Sequence, residues 1–471
     1  MGRIGVWAAF FFLLTLGIRL YRIELAPLWL DEAFSWAVAQ THPAFIISYL
    51  QQGHNPPLWE LLLHFWMKVF GDSEAALRGL PALLSASTAS LLFLLGYYTA
   101  GLWAGSTAAL CWTFSTLAQS VGREARAYAP LAFLTVLSLL LFLRWWHTRR
   151  GLLPWTATLI LLFHTHYTAV WLLLPQILLF LRETYQDRHT LSLFLGVLAI
   201  GMGMQGIIFL DHLGYYGQGN TYIPRASWTS LYEMLRSFSN QPVAASTGIA
   251  LIGIGLYFTW RNHSARTRVL SLILLFLATY LSVWIIGHFI HIWQPRYLMP
   301  LAIGYYWVIG VSIGSLPPKL RIGAFWGLIG IWVGSWNPVP PGMAPYQREI
   351  NKAALSLPKQ ALLVVSPPWY VLNLAYAARD SMLRAELLKT SHPVEYLYEY
   401  AHIHLRILGG LYYADLPVCE VQAKDTLYWL EQGYCSAMPQ GRLQEVLLEE
   451  FEPIAIQRWG NEIYLWTLRR R

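Results

Sequence analysis

The chain is 471 residues long, 56% hydrophobic, 15% aromatic and only 12% charged. A charged share about half that of an ordinary soluble protein excludes a purely aqueous fold, because so much apolar surface needs lipid as well as a core. The net charge of +8 fits either nucleic acid or the cytoplasmic face of a membrane as its cause, and the placement of the charges has to decide.

In chain order, the start MGRIGVWAAFFFLLTLGIRLYR has a basic tip and a long apolar run with no small-residue cleavage site after it. It reads as a retained first transmembrane helix. A helix needs about 20 apolar residues to cross the hydrocarbon layer. That rule places spans near 4–20, 76–98, 104–121, 128–146, 153–165, 168–182, 191–210, 245–260, 269–290, 296–314 and 322–337. The fifth and sixth are either two short helices around His164-Thr165-His166-Tyr167 or one broken hairpin. The fold class expected is an all-α polytopic membrane bundle of about 11 helices with a small extracytoplasmic α/β C-terminal domain.

Basic residues are retained on the cytoplasmic side. With the N-terminus inside, eleven of the twenty Lys and Arg in residues 1–337 fall on cytoplasmic positions, and nine acids and nine bases remain outside. The basic balance is then explained by topology, and nucleic acid loses its support as a partner. The expected location is the inner (plasma) membrane.

Eleven spans put the C-terminus outside, and the composition changes after Asn337-Pro-Val-Pro-Pro-Gly, a sequence that cannot continue a helix. The domains expected are 1–337, with a first outer loop at 21–75, and 338–471. ALLVVS at 361–366 reads as a buried strand followed by a helix through Tyr376, and EIYLWTL at 462–468 as a late strand. Of three cysteines, Cys111 lies in an apolar run, so a disulfide framework is excluded and only Cys419 and Cys435 are left to pair.

The chemistry-bearing residues gather in the outer turns. Trp29-Leu30-Asp31-Glu32 opens an amphipathic stretch from Ala33 to Leu50 that reads as a helix at the membrane surface. The two carboxylates either complement the helix dipole or supply one general base braced by its neighbour. Gly53-His54-Asn55-Pro56-Pro57 fixes where His54 and Asn55 point, since both prolines restrict the chain. In Gly122-Arg123-Glu124-Ala125-Arg126-Ala127-Tyr128, the spacing puts Arg123 and Arg126 on one helical face near Tyr128. Such a cluster is either a helix-end anchor paired through Glu124 or a phosphate clamp, for which the planar guanidinium is suited. The turn with His288, His291, Gln294-Pro295-Arg296-Tyr297 and Pro300 offers two histidines that could bind a cation, next to an Arg opening a helix. Ionisable groups at membrane depth are costly and usually functional, and here they share one side.

At WLDEAFSW, GHNPPLWELLLHFW, GDSEAALRGLPALLSA, REARAYAPLAFL, HTHYTAVWLLLPQ and QPRYLMPL the sequence resembles the GT-C superfamily of membrane glycosyltransferases. The resemblance is to the bacterial branch related to protein O-mannosyltransferases and lipid A aminoarabinose transferases. It implies a donor sugar on a polyprenyl phosphate and a catalytic base at Asp31, beside Glu32. It also implies a donor-phosphate arginine at Arg296, and metal ligands at His54 and His291. His54 departs in residue type from the acidic ligand of the aminoarabinose transferases. Asn55 stands where they carry a basic phosphate ligand, which leaves Arg126 as a substitute, with Arg123 and Tyr128 beside it.

The function expected from these readings is transfer of a sugar from a polyprenyl-phosphate donor to an extracytoplasmic glycan, lipid or protein, with inversion. A divalent metal is the one cofactor suggested, and no nucleotide cofactor is expected. Membrane lipid is the surrounding partner. A lipid flippase or a noncatalytic assembly subunit is the alternative; a transporter would show internal repeats and polar groups at both faces.

Overall fold

The computed structural model describes residues 2–51, 55–217, 223–261, 266–338, 347–356, 363–366, 373, 376, 405–406, 426–432, 451–459 and 463–471. Cys419, Cys435 and His54 lie outside them. The described chain forms two compact units. One comprises Met1–Ile23, Tyr49–Trp59 and Arg78–Pro340, and the other Glu24–Ser48, Glu60–Leu77 and Pro341–Arg471.

The chain opens with α1 (Gly2–Leu20), followed by α2 (Leu30–Ala39), α3 (Pro43–Gln51) and α4 (Leu58–Phe70). Next come α5 (Glu74–Ala100), α6 (Leu102–Thr113), α7 (Thr116–Val121), α8 (Tyr128–Thr148), α9 (Leu152–Thr165) and α10 (Val170–Thr184). Then follow α11 (Arg188–Gly217), α12 (Ser230–Phe238), α13 (Pro242–Arg261), α14 (Arg266–Gly287), α15 (Met299–Ser315), α16 (Pro318–Gly334) and α17 (Gln347–Leu355). Helices α1, α5, α8, α13 and residues 188–211 of α11 are long and apolar enough to cross a bilayer. Shorter apolar helices cover 152–165, 276–287 and 299–315. Helix is the form that satisfies every backbone group within a segment, which is what hydrocarbon surroundings demand. The first unit is therefore a multi-pass membrane bundle.

Each of the eleven expected spans meets a helix, and three features are instructive. The span at 104–121 is not continuous, because the chain breaks between α6 and α7 at Phe114-Ser115. The freed groups are answered from elsewhere. Arg19, wholly buried on α1, donates from Nη1 to the Thr113 carbonyl at 3.0 Å, from Nη2 to the Trp112 carbonyl at 3.1 Å, and from Nε to Ser85 Oγ at 3.0 Å. A cation at a helix C-terminus complements its dipole. Asn240 donates to the Phe114 carbonyl and accepts from the Thr116 amide, while Ser115 Oγ caps α7 through the Ala118 amide.

Second, of the two alternatives for the fifth and sixth spans the chain takes the two short helices, α9 ending at Thr165 and α10 starting at Val170 after a single 3-10 turn at Tyr167–Ala169. Third, the amphipathic stretch 33–50 is two helices, since Pro43 starts a new one and cannot continue the old. Moreover, α2 buries Ala33 and every residue from Ser35 to Ala39, so it does not lie on a surface.

Small residues let backbones approach in the bundle. A methyl group on Gly310 of α15 would overlap the Ala104 carbonyl oxygen of α6, and one on Gly314 would come 2.7 Å from the Ala100 carbonyl oxygen.

In the second unit, β1 (Leu363–Ser366), β2 (Leu405–Arg406), β3 (Thr426–Gln432), β4 (Phe451–Trp459) and β5 (Ile463–Arg470) form one sheet in the order β2-β1-β3-β5-β4. Strand β1 runs parallel to β2 and β3, and β5 antiparallel to β3 and β4. The edge strand β4 carries Pro453 at a register shift, a position where a missing amide costs no ladder bond. This mixed sheet with α17 is the expected α/β domain.

Candidate active site

Three turns at one end of the membrane bundle meet around Arg296. The first is 122–127, held in place because the buried indole of Trp59 donates to the Ala125 carbonyl at 3.2 Å. The second is His166 with the 3-10 turn after it, and the third is 294–298, just before α15. Arg296 is 8% exposed, and its guanidinium lies 5.6 Å from the ring centre of Tyr128 and 5.7 Å from that of Tyr297. Stacking on two aromatic faces orients the planar fork and favours its charge. Nη1 lies 3.8 Å from Glu124 Oε1, at the outer limit of an ion pair.

The two tyrosine rings stack at 5.9 Å, and the His166 ring touches both, at 5.8 Å from Tyr128 and 5.3 Å from Tyr297. Burial, then the charges of Arg126 and Arg296, hold the His166 imidazole far below its ordinary range, pushed down to about 3. It is uncharged at neutral pH. Two guanidinium groups, one carboxylate, two phenol rings and a neutral imidazole thus share one spot, with one positive charge in excess, an arrangement suited to a singly charged anion.

The second unit carries Asp31. Glu32 is 1% exposed, and its Oε2 accepts from the Trp29 amide at 3.2 Å, closing the first turn of α2. Asp31, its neighbour, is part-exposed. The helix beneath is fixed on several sides. The Trp36 indole donates to Asp72 Oδ2 at 3.1 Å and its ring meets Tyr376 edge-on, while Ser35 donates to Glu60 Oε1 at 3.0 Å. His64 Nδ1 donates to the Ala39 carbonyl at 2.8 Å, and burial lowers the pKa of that imidazole. The segment leading into α2 is tied down from late in the chain. Buried Asn373 donates to the Leu28 carbonyl, and Arg348 to the Leu25 carbonyl at 2.6 Å.

Residues 54–209 match the family model for dolichyl-phosphate-mannose-protein mannosyltransferases. Among solved structures, ArnT from Cupriavidus metallidurans bound to undecaprenyl phosphate superposes with a TM-score of 0.65 at 12% identity, over 98% of both chains. Its apo form gives 0.62 at 11%, also over 98% of both chains. The fold is that of the GT-C membrane glycosyltransferases. The archaeal oligosaccharyltransferase AglB from Archaeoglobus fulgidus, in complex with an inhibitory peptide and a dolichol-phosphate, gives 0.52 at 11%, over 98% of this chain and 74% of that one. No curated protein matches the chain significantly in sequence.

In this chain Arg296, Arg126 and Tyr128 come together, and Arg123 does not join them. Residues 122–127 form turns rather than a helix, so the two arginines do not share a face. Arg123 Nη2 donates to the carbonyls of Tyr21 and Arg22, which makes it an anchor past the end of α1. Asn55 is part-exposed in the turn before α4.

The metal expectation meets a physical obstacle. His288 and His291 follow α14 in irregular backbone and do not share a helical face. His291 Nδ1 donates to the Ile223 carbonyl at 2.7 Å, and Nε2 accepts from Arg225 Nε at 3.1 Å. The lone pair a metal would need already faces a cation. Among the described residues no three His, Cys, Asp or Glu groups are placed to hold an ion. The residues around His291 do not fit a metal.

Arg225 and His166 were not among the site residues anticipated from sequence. His166 had a signal, a polar stretch between two apolar spans. Arg225 had none, since its loop carries no motif.

Proposed function

We propose that the chain is an integral-membrane glycosyltransferase that moves a sugar from a polyprenyl-phosphate donor to an extracytoplasmic acceptor, with inversion. The observation that carries this reading is the buried Arg296, lying over Tyr128 and Tyr297 with the charge of Arg126 close by, in a fold whose solved relatives were captured with undecaprenyl phosphate and dolichol-phosphate. A glycosyl phosphodiester carries one negative charge, which the excess positive charge of the cluster balances.

The lipid tail has a place to go. Leu95, Leu139, Phe142, Leu172, Phe276 and Leu301 line a small, partly open apolar recess within the bundle. Leu301 lies one helical turn beyond Tyr297, and Leu172 shortly beyond His166 in the chain.

In the proposed reaction Asp31 takes the proton of the acceptor hydroxyl or amine. The acceptor atom attacks the anomeric carbon from the face opposite the phosphate, and the carbon–oxygen bond to phosphate breaks. The electron pair stays on the phosphate, where Arg126 and Arg296 stabilise the added charge. Glu32 braces the turn from which Asp31 projects. The excess of Lys and Arg at the opposite end of the spans puts the reacting end outside, with the N-terminus cytoplasmic and the C-terminal domain extracytoplasmic in the inner membrane.

The test is transfer of labelled sugar from a polyprenyl-phosphate donor in proteoliposomes. Wild type should give a product of inverted anomeric configuration, and Asp31→Asn should abolish it while leaving the fold intact. Donor loss without a glycosylated product would favour hydrolysis or flipping, and unchanged turnover in Asp31→Asn would remove Asp31 from its role.

A further inference from the structure

The one imidazole inside the arginine–tyrosine cluster is held in a single tautomer. The Thr168 backbone amide donates to His166 Nδ1 at 3.2 Å, with Thr168 Oγ1 2.9 Å from the same nitrogen. An amide N–H can only donate, so Nδ1 is the acceptor, and in a neutral ring the proton sits on Nε2. Capping the 3-10 turn therefore explains one edge of the ring and leaves the other. Among the described residues both hydrogen bonds of the ring fall on Nδ1, and the residue is part-exposed rather than sealed.

We propose that His166 Nε2–H is a third ligand of the donor phosphate, a neutral hydrogen-bond donor beside the two arginines. The ring is oriented for this by its contacts with Tyr128 and Tyr297. A third cation at this place would repel Arg126 and Arg296; a neutral N–H adds a bond to a phosphate oxygen without that cost. The same neighbours that suppress protonation of the ring keep it a donor of this kind through the physiological range.

The inference rests on the proposed lipid-phosphate site, and the experiment separates the two. The full chain in detergent is titrated with undecaprenyl phosphate and, separately, with undecaprenol, which lacks the phosphate. Asparagine at 166 keeps a capping group near Nδ1 and has nothing at Nε2, whereas glutamine places an amide N–H near Nε2. His166→Asn should melt at the wild-type temperature and weaken undecaprenyl phosphate binding by about 10- to 100-fold, the scale of one hydrogen bond to a charged group. Binding of undecaprenol should not change, and His166→Gln should recover affinity to within about threefold of wild type.

Equal affinity of His166→Asn and wild type for the phosphate would overturn the inference. So would an equal loss for both lipids, which would make the histidine merely structural. If Arg296→Ala loses the preference for phosphate while His166→Asn keeps it, the phosphate site stands and His166 leaves it. A wild type with no preference for the phosphate overturns both readings.

Discussion

Arg225 donates through Nε to His291 Nε2 across 3.1 Å, so the imidazole marked in sequence as a metal ligand is instead the acceptor for a guanidinium. The positive charge at this place comes from the chain itself. Exhaustive chelation should accordingly leave sugar transfer within about twofold of its starting rate, and bound-metal analysis of the purified protein should find less than one ion per chain. A chelator-sensitive rate restored by zinc or magnesium would show that the Arg225 contact yields to a metal.

Arg19 should matter for stability. Arg19→Leu strips the carbonyls of Trp112 and Thr113 of their donors in a setting with no water to replace them, at about 1–3 kcal/mol each. Allowing for relief from the buried charge, a net loss of about 2–4 kcal/mol is expected, read as a lowered melting temperature in detergent. Arg19→Lys should fall between, since one ammonium cannot reach all three acceptors.

Asn373 should act on turnover. Its amide donates to the Leu28 carbonyl, three residues before Asp31. Asn373→Leu keeps the volume and removes the bond, which frees the lead into α2. The expected result is a kcat about tenfold lower, with KM for the donor within twofold, because positioning of the base enters the chemical step rather than lipid binding. A raised KM with unchanged kcat would point to a different task for the C-terminal domain.

The pH dependence of stability should carry the mark of His166. Its folded pKa is near 3, below the unfolded value of 6.5, so between these limits the unfolded chain binds a proton that the native chain refuses. Its native state is therefore undiminished above pH 6.5 and loses ground progressively as pH falls toward about 3. The groups that face the ring are Arg126, Arg296, Tyr128 and Tyr297, with Glu124 beside Arg296. Between pH 7 and 5 the melting temperature of His166→Asn should fall less than that of wild type. Parallel curves would exclude the histidine as the source.

The membrane helices were readable because crossing hydrocarbon imposes a length and a polarity that sequence cannot hide, and α1, α5 and α8 meet both. The gap between α6 and α7 escaped detection for a related reason. Ser115 and Thr116 are tolerated inside membrane helices, so nothing local marks the break. What stabilises it, Arg19 and Asn240, arrives from about 95 residues before and 125 after. The same limit applied at the site. Arg126, Tyr128 and Arg296 were legible as charged or polar residues beside apolar runs. The assumption of helical spacing misplaced Arg123, because 122–127 is a turn. That His166 touches both Tyr128 and Tyr297 depends on three distant segments closing together, which periodicity does not encode.

The uncharged state of His166 has a consequence for the order of events in the proposed reaction. With Arg126 and Arg296 opposed by Glu124, these side chains balance the single charge of a glycosyl phosphodiester. The phosphate monoester left behind carries nearly two charges at neutral pH, since its second pKa is about 6. Electroneutrality is thus met on the substrate side of the reaction and broken on the product side. A site poised in this way retains its spent carrier less well than full pairing would, and clears itself for the next donor.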